Sequence, residues 1–316
     1  MKRKTVIAIA FMAILLAPLW AQTERDFEVT LTGDSQGVVI ARYTGTATAV
    51  RIPATIQGMP VRVIGSESFS WQDNRTRVAA ITSVVIPEGV TTIAGGYDSG
   101  AFMGQSSLTT VTLPSTLTSI GYTAFRECTA LTTITLPSTL TSIGNYAFSR
   151  CSALRTINLP NSLREIGEGA FASTGLTSVN WPASITTIEE YMFSGSRLQS
   201  IVIPEGVTRI KREAFQNTAL TSVTLPSTIT HIGWRAFITN SLTTVNIPNT
   251  VERIYFPEPW GESFIATNLL LASQANLNRV AVRSSSLHAW NQEPRQPSQS
   301  GSGSIFFNRT GFEDYE

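Results

Sequence analysis

A chain of 316 residues with only 14 % charged side chains and a formal net charge of +1 has no basic patch for nucleic acid and no acidic tail. Its only histidines, His231 and His288, lie far apart in sequence, which excludes a His-based triad or a zinc site of His/Cys spacing. No P-loop, G-x-G-x-x-G, H-E-x-x-H or EF-hand pattern occurs, so the chain is expected to be non-catalytic and to take no cofactor or metal.

The chain begins with MKRKTVIAIAFMAILLAPLWAQ, in which Lys2, Arg3 and Lys4 precede an apolar core from Val6 to Leu16. Pro18 follows, and Ala21 offers a cleavage point. This layout predicts a secretory signal over residues 1–21, too short for the ~20 apolar residues that span a bilayer. The mature chain is therefore expected to be exported, with a formal net charge of −2 once Lys2, Arg3 and Lys4 are gone. No cysteine follows the apolar core, so an N-terminal lipid anchor is not expected, and no later run predicts a transmembrane segment. Residues 22–49 contain FEVTL and VVIARY around Gly33-Asp34, which read as two strands capping the array that follows.

From residue 50 to residue 293 the chain repeats itself. Val50-Arg51-Ile52-Pro53 opens the pattern, with Phe69 in its phenylalanine row, and Val84-Val85-Ile86-Pro87 through Phe102 continues it. Two insertions, Trp71 to Ala80 and Gly95 to Ser99, are expected to project as loops. Prolines 114, 137, 160, 182, 204, 226 and 248 then recur every 23 or 22 residues. Eleven residues after each of the first six stands a phenylalanine: Phe125, Phe148, Phe171, Phe193, Phe215 and Phe237. Each rung reads L-x-x-V-x-L-P-x-x-L-x-x-I-G-x-x-A-F.

Val111-Thr112-Leu113 alternates apolar and polar, so it predicts a short strand with one buried face, closed by a proline that cannot donate to the ladder. Gly121, Gly144, Gly167 and Gly233 suit a bend of positive φ, although Glu189 and Lys211 stand there in two rungs. The N-Y-A-F stretch allows a single helical or 3-10 turn. One rung cannot bury its own apolar side, whereas stacked rungs share one continuous core; the expected fold is a β-rich solenoid with one short parallel strand per repeat. After Pro248 an insertion, Tyr255 to Trp260, precedes a degenerate capping rung at Leu277, Val280, Val282, Leu287 and Trp290. Residues 294–304 have the composition of a flexible linker, and residues 305–316 form an aromatic and acidic tail.

The stretch LTTVTLPSTLTSIGYTAF resembles the BspA-type, or Treponema pallidum-type, leucine-rich repeat, and the resemblance runs from about Val50 to Trp290. It implies a leucine-rich-repeat horseshoe. It further implies a secreted or surface protein of a bacterium, with adhesion to host matrix or to other bacteria among the family's roles.

Strand residues pointing away from the core form the first candidate contact surface: Thr110, Thr112, Thr133, Thr135, Thr156, Asn158, Ser178, Asn180, Ser200, Val202, Ser222, Thr224, Thr244 and Asn246. Such ladders of small polar groups suit a binding face for a protein or a glycan, and equally a solvated sheet face on which β-branched residues are simply at home. Aromatic residues on the insertions form the second: Trp71 and Tyr97, with Met103 nearby, then Tyr255, Phe256 and Trp260. These read either as loop anchors or as fillers of irregular rungs. Cys128 and Cys151 share a column in neighbouring rungs, where the ~4.8 Å strand spacing exceeds the Cβ separation a disulfide prefers. Two free, stacked thiols are expected. The reading that unites these points is an exported, non-catalytic scaffold at the cell surface or in the periplasm. Its partners would be a host-matrix, bacterial-surface or envelope protein, or a glycan; the alternative is a self-associating structural component of the envelope.

Overall fold

The phenylalanine row forms the spine. Tyr43, Phe69, Phe102, Phe125, Phe148, Phe171, Phe193, Phe215 and Phe237 stack ring on ring, with centroids 4.9–5.8 Å apart. All are buried, each worth about 1.5–3 kcal/mol by removal from water. The structure, a computed structural model, describes residues 23–70 and 80–238, together with Leu242, Ile247, Pro248, Thr250, Val251, Arg253 and Ile254. Residues 1–22 with the expected signal, the segment 71–79, Thr244, Asn246, the insertion 255–260, His288, and the expected capping rung, linker and tail lie outside the described residues.

The chain coils as a β-solenoid, as the repeat predicts, and three walls surround its one core. The first wall carries the V-x-L row. Ala49–Arg51, Ser83–Val85 and Thr110–Thr112 pair in parallel register, Val50 over Val84 over Val111. Farther along, Ser200–Val202 pairs with Ser222–Thr224. Between these blocks Ile134 and Ile157 stay buried in the same column, but residues 133–135, 156–158 and 178–180 form no strand ladder. Among the described residues, the sheet expected on this face is thus present in two blocks.

The longer sheet lies one row on, at the two residues before the glycine column. Met59–Ile64, Thr92–Ile93, Ser119–Ile120, Ser142–Ile143 and Glu165–Ile166 pair in parallel register. A second run joins Thr187–Ile188, Arg209–Ile210, His231–Ile232 and Arg253–Ile254. Threonine hydroxyls reinforce this wall: Thr118, Thr141 and Thr230 each donate to a carbonyl of the preceding rung at 3.0 Å. At the start, Phe27–Leu31 pairs antiparallel with Val38–Tyr43, which joins Met59–Ile64 in parallel and so covers the first rung. Asp34 closes the connecting turn by accepting from the Thr32 hydroxyl and the Gln36 N–H, and these bonds hold its carboxyl below the usual range.

The third wall contains the A-F turn. Its alternate N–H groups donate forward to the next rung: Thr123 to Asn145 (3.0 Å), Phe125 to Ala147 (2.8 Å) and Glu127 to Ser149 (2.9 Å). The intervening N–H groups close local turns, as Arg126 does on Thr123 (2.9 Å) and Cys128 on Phe125 (3.1 Å). No 3-10 helix forms here, because left-handed residues such as Thr123, Glu127, Tyr146 and Arg150 interrupt the run; the 3-10 helix among the described residues is Glu24–Asp26. Left-handed backbone costs a side-chain-bearing residue about 1–2 kcal/mol, offset by the forward bond that it makes possible.

The glycine column has a different cause from the expected one. Gly121, Gly144, Gly167 and Gly233 do not have positive φ. A Cβ on Gly144 would lie 2.7 Å from the Gly121 carbonyl carbon and from Tyr122 N, and one on Gly233 would lie 2.4 Å from the Lys211 carbonyl carbon. Glycine is there to let backbones of successive rungs approach. The long sheet is interrupted between Ile166 and Thr187, and three changes coincide at that rung. The link after Phe171 is one residue shorter, Trp181 replaces the leucine before the proline, and Glu189 replaces glycine. Loss of glycine alone does not unpair a rung, since the Lys211 N–H still donates to the Ile188 carbonyl at 2.9 Å. The turn wall runs on unbroken: Gly169, Phe171 and Ser173 donate to Glu190, Met192 and Ser194 at 2.7–3.0 Å.

Candidate functional site

The first-wall residues singled out from sequence do reach solvent. Thr110, Thr112, Thr133, Thr135, Thr156, Asn158, Ser178, Asn180, Ser200, Val202, Ser222 and Thr224 are all exposed, with Val202 at 72 %. The proline that closes each rung and the valine or isoleucine between each pair, buried except for the half-buried Val179 and Val223, fix this direction. Thr110 and Thr112 stand beside Ser83 and Val85, and Ser200 and Val202 beside Ser222 and Thr224, in strict register. Asn180 differs in being committed to the fold. Its carboxamide donates to the Leu159 carbonyl and accepts from the Leu159 N–H, both at 2.9 Å, taking the place of a neighbouring strand. Trp181, half-buried against Phe193 at 6.0 Å, donates its indole N–H to the Ile185 carbonyl.

The early insertion is a small antiparallel hairpin, Gly95–Gly96 against Ser99–Gly100, with Tyr97 at its tip. Tyr97 is 76 % exposed. Met103 is buried in the core and is no surface residue. Trp71, Tyr255, Phe256 and Trp260 lie outside the described residues.

A second row was not singled out from the sequence. One or two residues past the glycine column, Tyr122, Tyr146, Tyr191 and Trp234 are half-buried along the outer edge of the turn wall. Tyr97 and Tyr122 have centroids 5.8 Å apart, as do Tyr122 and Tyr146. The Tyr146 hydroxyl donates to Glu168 Oε1 in a short bond, and burial followed by that carboxylate pushes its phenol up. Further along, Arg212 stacks over Tyr191 (5.0 Å) while pairing with Glu190 (3.2 Å), and Arg235 stacks over Trp234 (4.4 Å). Lys211 pairs with Glu189 at 2.7 Å. The signal was present in the sequence as aromatic residues where other rungs carry Asn145, Glu168 or Thr123, but at alternating offsets that blur the column.

Behind the phenylalanines runs a buried polar column of Gln105, Cys128, Cys151, Thr174, Ser196 and Thr218. Both thiols are free, as the strand spacing predicts: Cys128 Sγ donates to the Phe102 carbonyl (3.2 Å) and Cys151 Sγ to the Phe125 carbonyl (3.1 Å). Burial pushes Cys128 well up and Cys151 up to about 12, so neither is a nucleophile. Among the described residues, no three His, Cys, Asp or Glu side chains are grouped to hold a metal, and no helix is long and apolar enough to cross a membrane. What this surface can do chemically is present polar, aromatic and charged groups at one-rung intervals.

The BspA type leucine rich repeat region matches this chain in six copies, over residues 62–199 and 186–257. Comparison with curated proteins gave no match. Among solved structures, the chain is similar to a leucine-rich repeat protein of T. pallidum at 29 % identity and a TM-score of 0.52, covering 67 % of this chain and 85 % of that one. It is also similar to a leucine-rich repeat protein from Bacteroides ovatus at 28 % identity and a TM-score of 0.63, covering 72 % of this chain but only 59 % of that one. The repeat model spans more than half of the chain, and the chain belongs to the BspA-type leucine-rich repeat family.

Proposed function

We propose that this chain is an exported, non-catalytic scaffold that binds a protein or glycan partner at the bacterial surface or in the periplasm. The basic layout of its first 21 residues supports export. The observation that carries the binding reading is the exposed first-wall row, from Thr110 and Thr112 to Ser222 and Thr224, held in register by a shared core. Its mechanism is multivalent contact: a preordered backbone presents many weak polar groups, and little ordering entropy is lost on binding. On this reading its role is adhesion to host matrix or to neighbouring bacteria.

The test is a triple variant, Thr133→Glu, Thr135→Glu and Thr156→Glu, compared with the parent for capture from matrix and envelope extracts. Protease treatment of intact producing cells accompanies it. Capture lost in the variant, with the parent cleaved on intact cells, is the expected result; equal capture by both refutes the face. Self-association is favoured by a different observation, the strand Phe27–Leu31. Within the described residues it pairs on one edge only and exposes Leu31 at 57 %, the kind of edge that invites a second chain. A strict monomer in sedimentation across concentration removes that reading.

A further inference from the structure

The aromatic ridge on the turn wall divides into two halves that use the same columns in opposite ways. Tyr191 is the column equivalent of Tyr146, and Trp234 is the equivalent of Tyr122. In the C-terminal half both rings are covered by cations of this chain, Arg212 at 5.0 Å and Arg235 at 4.4 Å. In the N-terminal half those covering positions carry Glu168 and Thr123. There Tyr97, Tyr122 and Tyr146 follow one another with tilted rings, and no arginine or lysine among the described residues lies over them. Arg126, whose positive charge is also felt at Tyr122, is turned toward Glu127, with Nε 3.6 Å from Oε1. Asp98, exposed, and Glu168, half-buried, flank these rings, and their charge is felt at Tyr122.

We propose that Tyr97, Tyr122 and Tyr146, flanked by Asp98 and Glu168, dock a basic segment of a partner protein, whose arginine or lysine side chains sit over these rings as Arg212 and Arg235 sit over Tyr191 and Trp234. A ring face attracts a cation, and a nearby carboxylate adds to the attraction. Successive rings are tilted by 34° and 55°, so they offer separate faces to point charges instead of the flat platform that a sugar chain would stack on. The spacing fits as well. An extended segment repeats same-side side chains about every 6.7 Å, close to the 5.8 Å step between rings. This surface deepens the reading of the chain as a binding scaffold, and it is separate from the threonine face.

The experiment titrates the full chain with a fluorescent peptide of alternating Arg and Gly, beside a Glu-Gly peptide and a neutral β-linked glucose oligomer. Saturable binding of the Arg-Gly peptide alone is expected. Tyr97→Ala and Tyr122→Ala each weaken it about two- to five-fold, the worth of one exposed cation–π contact. Tyr97→Phe, which keeps the ring, retains it. The threonine-face triple variant binds this peptide like the parent, so a failed ridge and a failed face are told apart. Three outcomes overturn the proposal: no saturable binding, preference for the glucose oligomer, or a loss seen in Asp98→Asn and Glu168→Gln but absent from both tyrosine-to-alanine variants.

Discussion

Replacing Gly144 by alanine isolates the contact that sets the distance between rungs. The added methyl would meet the Gly121 carbonyl carbon and Tyr122 N at 2.7 Å, and both are backbone atoms that cannot rotate away. Bringing that contact to an ordinary 3.4 Å requires the two rungs to part by about 0.7 Å. The bonds that would stretch are Gly144 N–H to the Ile120 carbonyl and Thr141 N–H to the Thr118 carbonyl, both 2.8 Å. At about 3.5 Å they leave hydrogen-bonding range, and two such losses at about 1 kcal/mol each give about 2 kcal/mol. The range seen for overpacked cores, about 1–3 kcal/mol, agrees.

The matched control is Gly206→Ala. Gly206 has φ +99 and nothing within 4 Å of its would-be Cβ, so only the backbone term applies, about 1–2 kcal/mol. Asparagine separates the causes further. It tolerates left-handed backbone, so Gly206→Asn should be milder than Gly206→Ala, while Gly144→Asn should be worse than Gly144→Ala. Urea midpoints by far-UV circular dichroism, with the slope checked for constancy, measure the series. Hydrogen exchange at Thr141 and Gly144 shows whether the damage is confined to the neighbouring rungs, as a nearest-neighbour array requires. A Gly144→Ala midpoint equal to that of Gly206→Ala, or a rescue by Gly144→Asn, refutes the close-approach reasoning.

The two thiols should ignore iodoacetamide in the folded protein and both take it up in denaturant without reductant; a mass short by two hydrogens, with no label, contradicts their assignment as free. Glu88 accepts from the Ser115 N–H (3.0 Å) and hydroxyl (2.9 Å), and Glu205 makes the same pair with Ser227 at 2.9 and 3.0 Å, which holds both carboxyls below the ordinary glutamate range. A carboxylate depressed in the folded state stabilises fully above its unfolded pKa and loses that contribution as pH falls through the folded value. The double variant Glu88→Gln, Glu205→Gln should therefore flatten the fall in melting temperature between neutral and acid pH, and an unchanged acid limb counts against these clamps.

What the sequence shows most clearly is whatever repeats at one offset. The proline and phenylalanine columns alone locate the core, because Phe125, Phe148, Phe171 and their counterparts recur at a constant distance from a proline. Tyr43 starts the same ring stack and is not legible that way, since no proline precedes it at the right distance. The long sheet is hidden for a different reason. Ser119–Ile120 and its partners are two residues long, and two residues show no alternation that pattern reading could detect. The glycine column announces an unusual backbone, but the reason for Gly144 lies in atoms of Gly121 and Tyr122 a full rung earlier, where no local rule looks. For the candidate sites, outward direction at Thr110 or Ser222 follows from the strand period, while the role of Asn180 depends on which backbone its carboxamide reaches.

The three walls also relocate rigidity. A sheet on the threonine face would itself hold the contact groups at strand spacing, but among the described residues the first wall is paired only around Thr110–Thr112 and Ser200–Thr224. The long sheet, in turn, is interrupted between Ile166 and Thr187. Only the turn wall crosses that rung with its bonds intact, and the ring stack crosses with it, Phe171 on Phe193 at 5.7 Å. Continuity therefore resides in the phenylalanine spine, and both candidate surfaces are hung from it. Of the ridge, Tyr122 and Tyr146 sit on the bonded wall, where forward bonds of 2.7–3.0 Å fix the step between rungs, while Tyr97 is carried on the hairpin whose Gly96 carbonyl accepts from the Thr123 hydroxyl at 2.9 Å. The face residues between Thr133 and Asn180 are positioned through the core alone, with the Asn180 carboxamide standing in for one strand. A partner that needs fixed spacing is better served by the ridge, and one that needs area is better served by the face.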